Sequence, residues 1–224
     1  MRREIIGNCE LYLGDCLEIL PDIGAIYDPF ASITLITDPV WPNNSVPEFA
    51  HIEPYELFNK AWQHINDCVE RAVIQLGCDS SPDILIPITL PFFRVAWLEY
   101  ALPGYKGRLL YSGDVAYMFG KPPKAVLGKK LISGRSISTN NFGKEADHPC
   151  PRKLEHVKWL VHQFTDLDDI VLDPFMGSGT MGVACVEQQR KFIGIEINEK
   201  YFDTACKRIE ETVSQKTFDF GGTS

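Results

Sequence analysis

The sequence predicts an α/β fold built on a doubly wound, mostly parallel sheet. Two short apolar runs without charge, residues 33–37 and 170–172, read as strands buried on both faces. Each ends in Asp-Pro: Asp38-Pro39-Val40-Trp41 in the first half, Asp173-Pro174-Phe175-Met176-Gly177-Ser178-Gly179-Thr180 in the second. After the second junction the pattern runs helix, strand, acid, helix, the order that winds a parallel sheet with ligands at the carboxyl ends of its strands.

In chain order, residues 10–15 form a short strand ending in Gly14-Asp15, and residues 16–20 form a helical turn. The strand 33–37 follows, then a loop rich in Pro and Asn over 42–53. Pro54 stands at the favoured first position of a helix. Leu57, Phe58, Ala61, Trp62, Ile65 and Val69 then recur at three- and four-residue spacing, one apolar helical face. Residues 72–76 read as a strand and 92–102 as a helix closed by Pro103-Gly104. Residues 109–111 and 115–119 read as a strand pair turning at Ser112-Gly113-Asp114. Residues 120–147 show little periodicity and read as a long loop or insert. A helix is expected over 154–164, a strand over 170–172, a helix over 180–189, a strand over 192–197 and a helix over 199–213. The whole of 1–224 is expected to form one domain, with an insert over 104–147 and a frayed tail over 214–224.

Composition narrows the function classes. The 224 residues include seven cysteines without a Cys-x-x-Cys pair, which fits reduced thiols in a cytoplasmic protein. The five histidines show no metal-ligand spacing with them, so no metal is expected. Met-Arg-Arg-Glu is followed by no long apolar run, so no targeting segment is expected. The apolar stretch 84–102 is interrupted by Pro87, Pro91, Arg94 and Glu99, which argues against a membrane span. Net charge is −8, yet residues 104–146 carry eight bases against two acids, a net +6, leaving −14 on the remainder. A basic patch on an acidic body suits a phosphate-contacting insert, although a solvated loop has the same composition.

The Gly-rich junction suits a nucleoside-like ligand. Its glycines allow close backbone approach, and the N–H groups of the following helix can bind an anionic group. Glu196, about one strand later, stands where an acid holds ribose hydroxyls. No Gly-Lys-Ser/Thr occurs, which disfavours a triphosphate. At the other junction, a carboxylate beside an aromatic ring suits a flat base bearing an amino group.

These motifs together resemble the amino-group DNA methyltransferases, which use S-adenosylmethionine to modify adenine N6 or cytosine N4. The order of motifs is similar to the permuted β class. Asp38-Pro39-Val40-Trp41 matches the loop that holds the target base, with Val40 where that family usually has a second proline. Gly14-Asp15 matches the adenine contact, and His148-Pro149-Cys150-Pro151-Arg152 the segment ahead of the cofactor motif. The resemblance spans roughly residues 10–212 and implies the Rossmann-like methyltransferase fold with a short basic insert.

It also implies roles. Asp15 and Cys16 would meet the adenine. Asp173, Phe175, Gly177 and Gly179 would wrap the methionine and nucleoside, with Ser178 and Thr180 bonding polar groups. Glu196 and Ile197 would hold the ribose end, and His148 and Arg152 would close over the methionine. Asp38 and the Pro39 carbonyl would accept hydrogen bonds from the amine, while Trp41 stacks on a base flipped from double-stranded DNA. Lys121, Lys124, Lys129, Lys130, Arg135, Asn140 and Asn141 are candidates for base-edge or phosphate contacts. An Asp-headed loop points to adenine. Cytosine N4, an RNA or protein-amide substrate, and an inactive cofactor-binding subunit remain open alternatives, as do the recognition sequence and the oligomeric state.

Overall fold

The computed structural model describes residues 2–26, 32–43, 47, 50–106, 108–123, 134–138, 153–167 and 169–221. Among the described residues nine strands form one sheet: β1 (Arg2–Ile6), β2 (Cys9–Leu13), β3 (Ile33–Thr37), β4 (Val69–Gly77), β5 (Phe92–Lys106), β6 (Leu109–Gly120), β7 (Arg135–Ser138), β8 (Ile170–Asp173) and β9 (Lys191–Glu196). Their order is β1-β2-β9-β8-β3-β4-β6-β5-β7. The run from β2 to β4 is parallel throughout, and β1, β5 and β6 add antiparallel pairings at the flanks.

Helices cover both faces of the sheet. On one face lie α1 (Cys16–Ile26) and α2 (Pro54–Ile65). On the other lie α3 (Leu154–Phe164), α4 (Thr180–Glu187) and α5 (Glu199–Gly221). Two apolar cores result, one per face. The fold class is the one expected, because strands without charge need both faces covered. In α2, Pro54 opens the helix and Phe58, Ala61, Trp62 and Ile65 are its buried residues; Val69 instead begins β4. The turn expected at 16–20 continues through Pro21 to Ile26. Burial of Ile19, Leu20 and Ile23 offsets the hydrogen bond that a mid-helix proline forfeits.

Several expectations are corrected. Residues 92–102 are not a helix: they belong to β5, which pairs with β6 in the register Val95↔Tyr117, Ala96↔Ala116 and Trp97↔Val115. Ala96 and Leu98 are buried while Val95 is exposed, a period of two that the dense apolar run concealed. The turn expected at 112–114 is absent, and β6 is one strand. A Cβ on Gly113 would stand 2.4 Å from the Leu98 carbonyl oxygen, so this glycine permits strand contact rather than chain reversal.

Strand β1 had no expected counterpart. It forms a hairpin with β2 across Gly7-Asn8, with Gly7 at φ +57° and Ile6 opposite Cys9. Within the expected loop, β7 adds a parallel edge strand beside β5. The last helix runs past residue 213 to Gly221. There the Lys216 ammonium donates to the Val186 and Glu187 carbonyls, both at 2.7 Å, satisfying the end of α4.

The amino-terminal ends of the central strands are fastened by a buried ion cluster. Arg71 on β4 pairs with Asp169, and its other terminal nitrogen lies 3.1 Å from Asp166. Thr34 on β3 donates to the same Asp169 at 3.3 Å. Of the segment 104–147, the described part consists mainly of the end of β5, the whole of β6 and β7. No helix among the described residues is long and apolar enough to cross a membrane.

Candidate active site

The sheet reverses its winding between β8 and β3. From β8 the chain passes through α4 to β9 on one side; from β3 it passes through α2 to β4 on the other. Loops leaving the two carboxyl ends therefore part, and a ligand crevice opens between them. Here it is a cleft of about 520 Å³. Asp15, Cys16, Asp38, Pro39, Trp41, Asp173, Phe175, Gly177, Ser178, Thr180, Glu196 and Ile197 all line it. Gly179 is the remaining member of the Gly-rich loop and sits at the start of α4.

The Gly-rich loop is folded against β9 and α5. Met176 N–H donates to the Ile195 carbonyl at 2.9 Å, and Gly177 N–H to Glu196 Oε2 at 2.8 Å. Gly179 has φ +80°, and a Cβ there would stand 2.7 Å from that of Ala205, so both torsion and space call for glycine. Glu196 Oε1 accepts from Asn198 N–H at 2.8 Å, while the Glu196 carbonyl accepts from Gly14 N–H at 3.0 Å. One acid thus joins the β8, β9 and β2 loops. Burial pushes its carboxyl above the usual range. Ile197 beside it is 69% exposed at the rim, an apolar edge for a flat ring.

Asp15 caps α1, its Oδ1 accepting from Leu17 N–H at 2.9 Å, and also lines the cleft. Cys16 is buried, which pushes its thiol up to about 12 and leaves it un-ionised at neutral pH. The Ser178 and Thr180 hydroxyls face Arg208 of α5. Arg208 Nη1 donates to the Ser178 carbonyl at 2.6 Å, to Ser178 Oγ at 3.1 Å and to Thr180 Oγ1 at 3.2 Å. This arginine braces the loop from behind.

In the Asp38 loop, Trp41 Nε1–H donates to Asp38 Oδ1 at 2.8 Å. The indole lies against Gly77 at the end of β4, where a Cβ would come within 2.6 Å of the ring. Asn43 extends the anchorage: its Oδ1 accepts from Ser80 Oγ at 2.5 Å and its Nδ2 donates to the Asp79 carbonyl at 3.3 Å. Below the loop, Thr37 Oγ1 donates to Asp173 Oδ1 at 2.7 Å. Burial, with Asp38 and Glu196 nearby, raises the Asp173 carboxyl to about 7.

Sequence reading missed Thr37, Gln75, Arg208 and the first turns of α2, where Glu53, Glu56 and Lys60 line the cleft mouth. The helix start at Pro54 was legible; its place over the Asp38 loop depends on how β3 and β4 pair. Of the expected nucleic-acid contacts, Lys121 is exposed after β6, and Arg135 on β7 pairs with Glu99 at 2.5 Å. Lys124, Lys129, Lys130, Asn140, Asn141, His148 and Arg152 lie outside the described residues. Among the described residues no His/Cys/Asp/Glu group is arranged to hold a metal.

The chain belongs to the N6/N4 DNA methylase family, whose model matches residues 39–207. It is similar to the type II methyltransferase M.Cfr9I of Citrobacter freundii, 52% identical over 81 residues, which are 36% of this chain and 23% of that protein. It is also similar to the DNA adenine methyltransferase YhdJ of Escherichia coli K12, 39% identical over 64 residues, 29% of this chain and 22% of that protein. The matched segments thus span under a quarter of the length of either relative. The crystal structure of the M1.HpyAVI–SAM complex superposes with a TM-score of 0.69 at 25% identity, covering 90% of this chain and 98% of that one.

Proposed function

We propose that the chain is an S-adenosylmethionine-dependent DNA methyltransferase that modifies the exocyclic amine of a flipped base, adenine N6. The observation carrying this reading is that one cleft at the winding reversal contains both the Asp38-Pro39-Val40-Trp41 loop and the Gly-rich loop with Glu196. The cleft also suits the cofactor electrostatically. Asp15, Asp38, Asp173 and Glu196 line it, and a concentration of carboxyl groups favours a ligand bearing sulfonium and ammonium charges. Glu196 and Asp15 would hold the nucleoside, Ile197 and Phe175 its flat faces, and the Gly-rich loop the methionine part.

Bound S-adenosylmethionine supplies an electrophilic methyl group and leaves as the neutral thioether. The protein must make the amine a better nucleophile, because its lone pair is delocalised into the base. Asp38 and the Pro39 carbonyl accept the two N–H bonds and draw the nitrogen toward tetrahedral geometry. With the cofactor bound, the nitrogen pair would form the C–N bond as the C–S pair returned to sulfur, and the extra proton would pass from the amine to the Asp38 carboxylate and on to solvent. Positive charge growing on nitrogen is stabilised by Asp38 in place. A carboxylate offers about four acceptor sites, so Asp38 can receive the amine in addition to the Trp41 indole. The Trp41 ring stacks on the base, an interaction worth about 1–3 kcal/mol. Adenine is favoured over cytosine by the acid heading the loop, in keeping with the similarity to YhdJ.

The test is incubation with methyl-labelled S-adenosylmethionine and unmethylated duplex DNA, followed by chromatography of the nucleosides. Label in N6-methyladenine, abolished in Asp38→Ala, is expected. Label in N4-methylcytosine would replace the base assignment. An unlabelled duplex would sink the reading, and transfer that survives Asp38→Ala would sink the mechanism.

A further inference from the structure

We infer that Thr37 is a positioning residue for methyl transfer, its hydroxyl fixing the separation of the Asp38 loop and the Gly-rich loop through Asp173. On the methyltransferase reading above, the amine and the methyl donor are carried by different loops, and those loops part at this crevice.

The backbone ladder between β3 and β8 pairs Ile33 with Ile170, Thr34 with Val171 and Leu35 with Leu172. Beyond that pair each strand follows its outer neighbour. β3 stays paired with β4 to Thr37↔Ile74, while β8 stays paired with β9 to Asp173↔Gly194. The seam thus opens immediately below the site, and peptide hydrogen bonds cease to set its width.

Across the opening, Thr37 Oγ1 donates to Asp173 Oδ1 at 2.7 Å. Both residues are buried, at 1% and 4% exposure, so solvent competes little for the bond. The same oxygen accepts from Phe175 N–H at 3.1 Å, which aims the carboxyl at the root of the Gly-rich loop. Thr37 is covalently joined to Asp38. A rigid path therefore runs from the Asp38 backbone through Thr37 and Asp173 to Phe175. In-line transfer depends steeply on such separations, a misplacement of about 1 Å costing on the order of 100-fold in rate.

The test compares Thr37→Val, which keeps the shape and removes the donor, with Thr37→Ser, which restores it, and Thr37→Ala as a variant free of overpacking. Three quantities are read: equilibrium affinity for S-adenosylmethionine, single-turnover methyl transfer to duplex DNA, and amide hydrogen exchange over residues 38–41 and 175–179. In Thr37→Val and Thr37→Ala, transfer should fall by roughly tenfold or more, with affinity changed by less than about threefold. Exchange at 38–41 should quicken. Thr37→Ser should recover both rate and protection.

Wild-type exchange in Thr37→Val and Thr37→Ala overturns the inference, as does a proportionate loss of affinity and rate, or a serine variant that recovers neither. If the unaltered chain transfers no methyl group, the functional reading fails, and the exchange comparison still decides whether Thr37 ties the loops.

Discussion

Trp41 does two things at once. Its ring rests on Gly77, and its Nε1–H holds one oxygen of Asp38 at 2.8 Å. The proposed stacking surface and the proposed amine acceptor are therefore set by one side chain, which a phenylalanine would separate. Trp41→Phe keeps an aromatic face and loses the donor. A hydrogen bond to a charged group is worth about 1.5–3 kcal/mol, so single-turnover transfer should fall by roughly 10- to 100-fold while duplex affinity changes little.

Asp173 makes a prediction about pH. Its folded carboxyl is raised to about 7, so the folded protein holds this proton more tightly than the unfolded chain. The resulting stability is fully present below the unfolded carboxyl value near pH 4, and is lost as pH rises through about 7. Asp173→Asn removes the burden of a buried charge and keeps an acceptor for Thr37. Its melting temperature should match that of the unaltered protein near pH 4 and exceed it at pH 8. Raising the carboxyl from near 4 to about 7 costs roughly 4 kcal/mol at high pH, and each kcal/mol is about 2–4 °C at this size, so the gap should be roughly 8–16 °C. Affinity for the cationic cofactor should strengthen from pH 6 to pH 8 in the unaltered protein, and much less in the variant.

Loops at this crevice take their shape from elements behind them. The Gly-rich loop is held by Arg208, a residue on α5 that contacts Ser178 and Thr180. Arg208→Ala should weaken S-adenosylmethionine binding by roughly tenfold, one charge-assisted contact, measured by calorimetry. The variant should leave Asp38 and its Trp41 partner undisturbed. Arg208 was not legible because α5 shows only an amphipathic stripe in sequence; that its arginine meets a loop some thirty residues earlier follows from α4 and α5 packing together. The glycines in that loop were legible, since Gly177 at φ +56° and Gly179 at φ +80° use a conformation other residues avoid. The misread pair, β5 and β6, fails for the converse reason. Glycine at 113 signals a turn by itself, yet its partner strand claims the same residue for close contact.

Across the whole molecule, polar fastening is divided between the two ends of the central strands. Thr37 and Asp173 close the seam beneath the cleft, and Thr34, Arg71, Asp166 and Asp169 close it at the far end. Arg71 and Asp169 are almost fully buried, so removing the arginine leaves charge without its partner. Arg71→Ala should destabilise the fold by about 3–5 kcal/mol, seen as a lower denaturant midpoint. Methyl transfer by the fraction still folded should be close to normal, because the cluster lies at the opposite end of the strands from the site.

The sequence by itself determined the local chemistry: two strands ending in Asp-Pro, a loop that only glycines can shape, an acid one strand later and an aromatic beside a carboxylate. Such features are contiguous, and backbone geometry acts over a few residues. Tertiary structure alone decided which of them meet. Gln75 and the first turns of α2 reached the cleft because β3 and β4 are neighbours in the sheet. Thr37 met Asp173, 136 residues away, because β8 was inserted beside β3. Burial in that seam then altered the acid's proton affinity, since desolvation is a property of the assembled crevice and of no single segment.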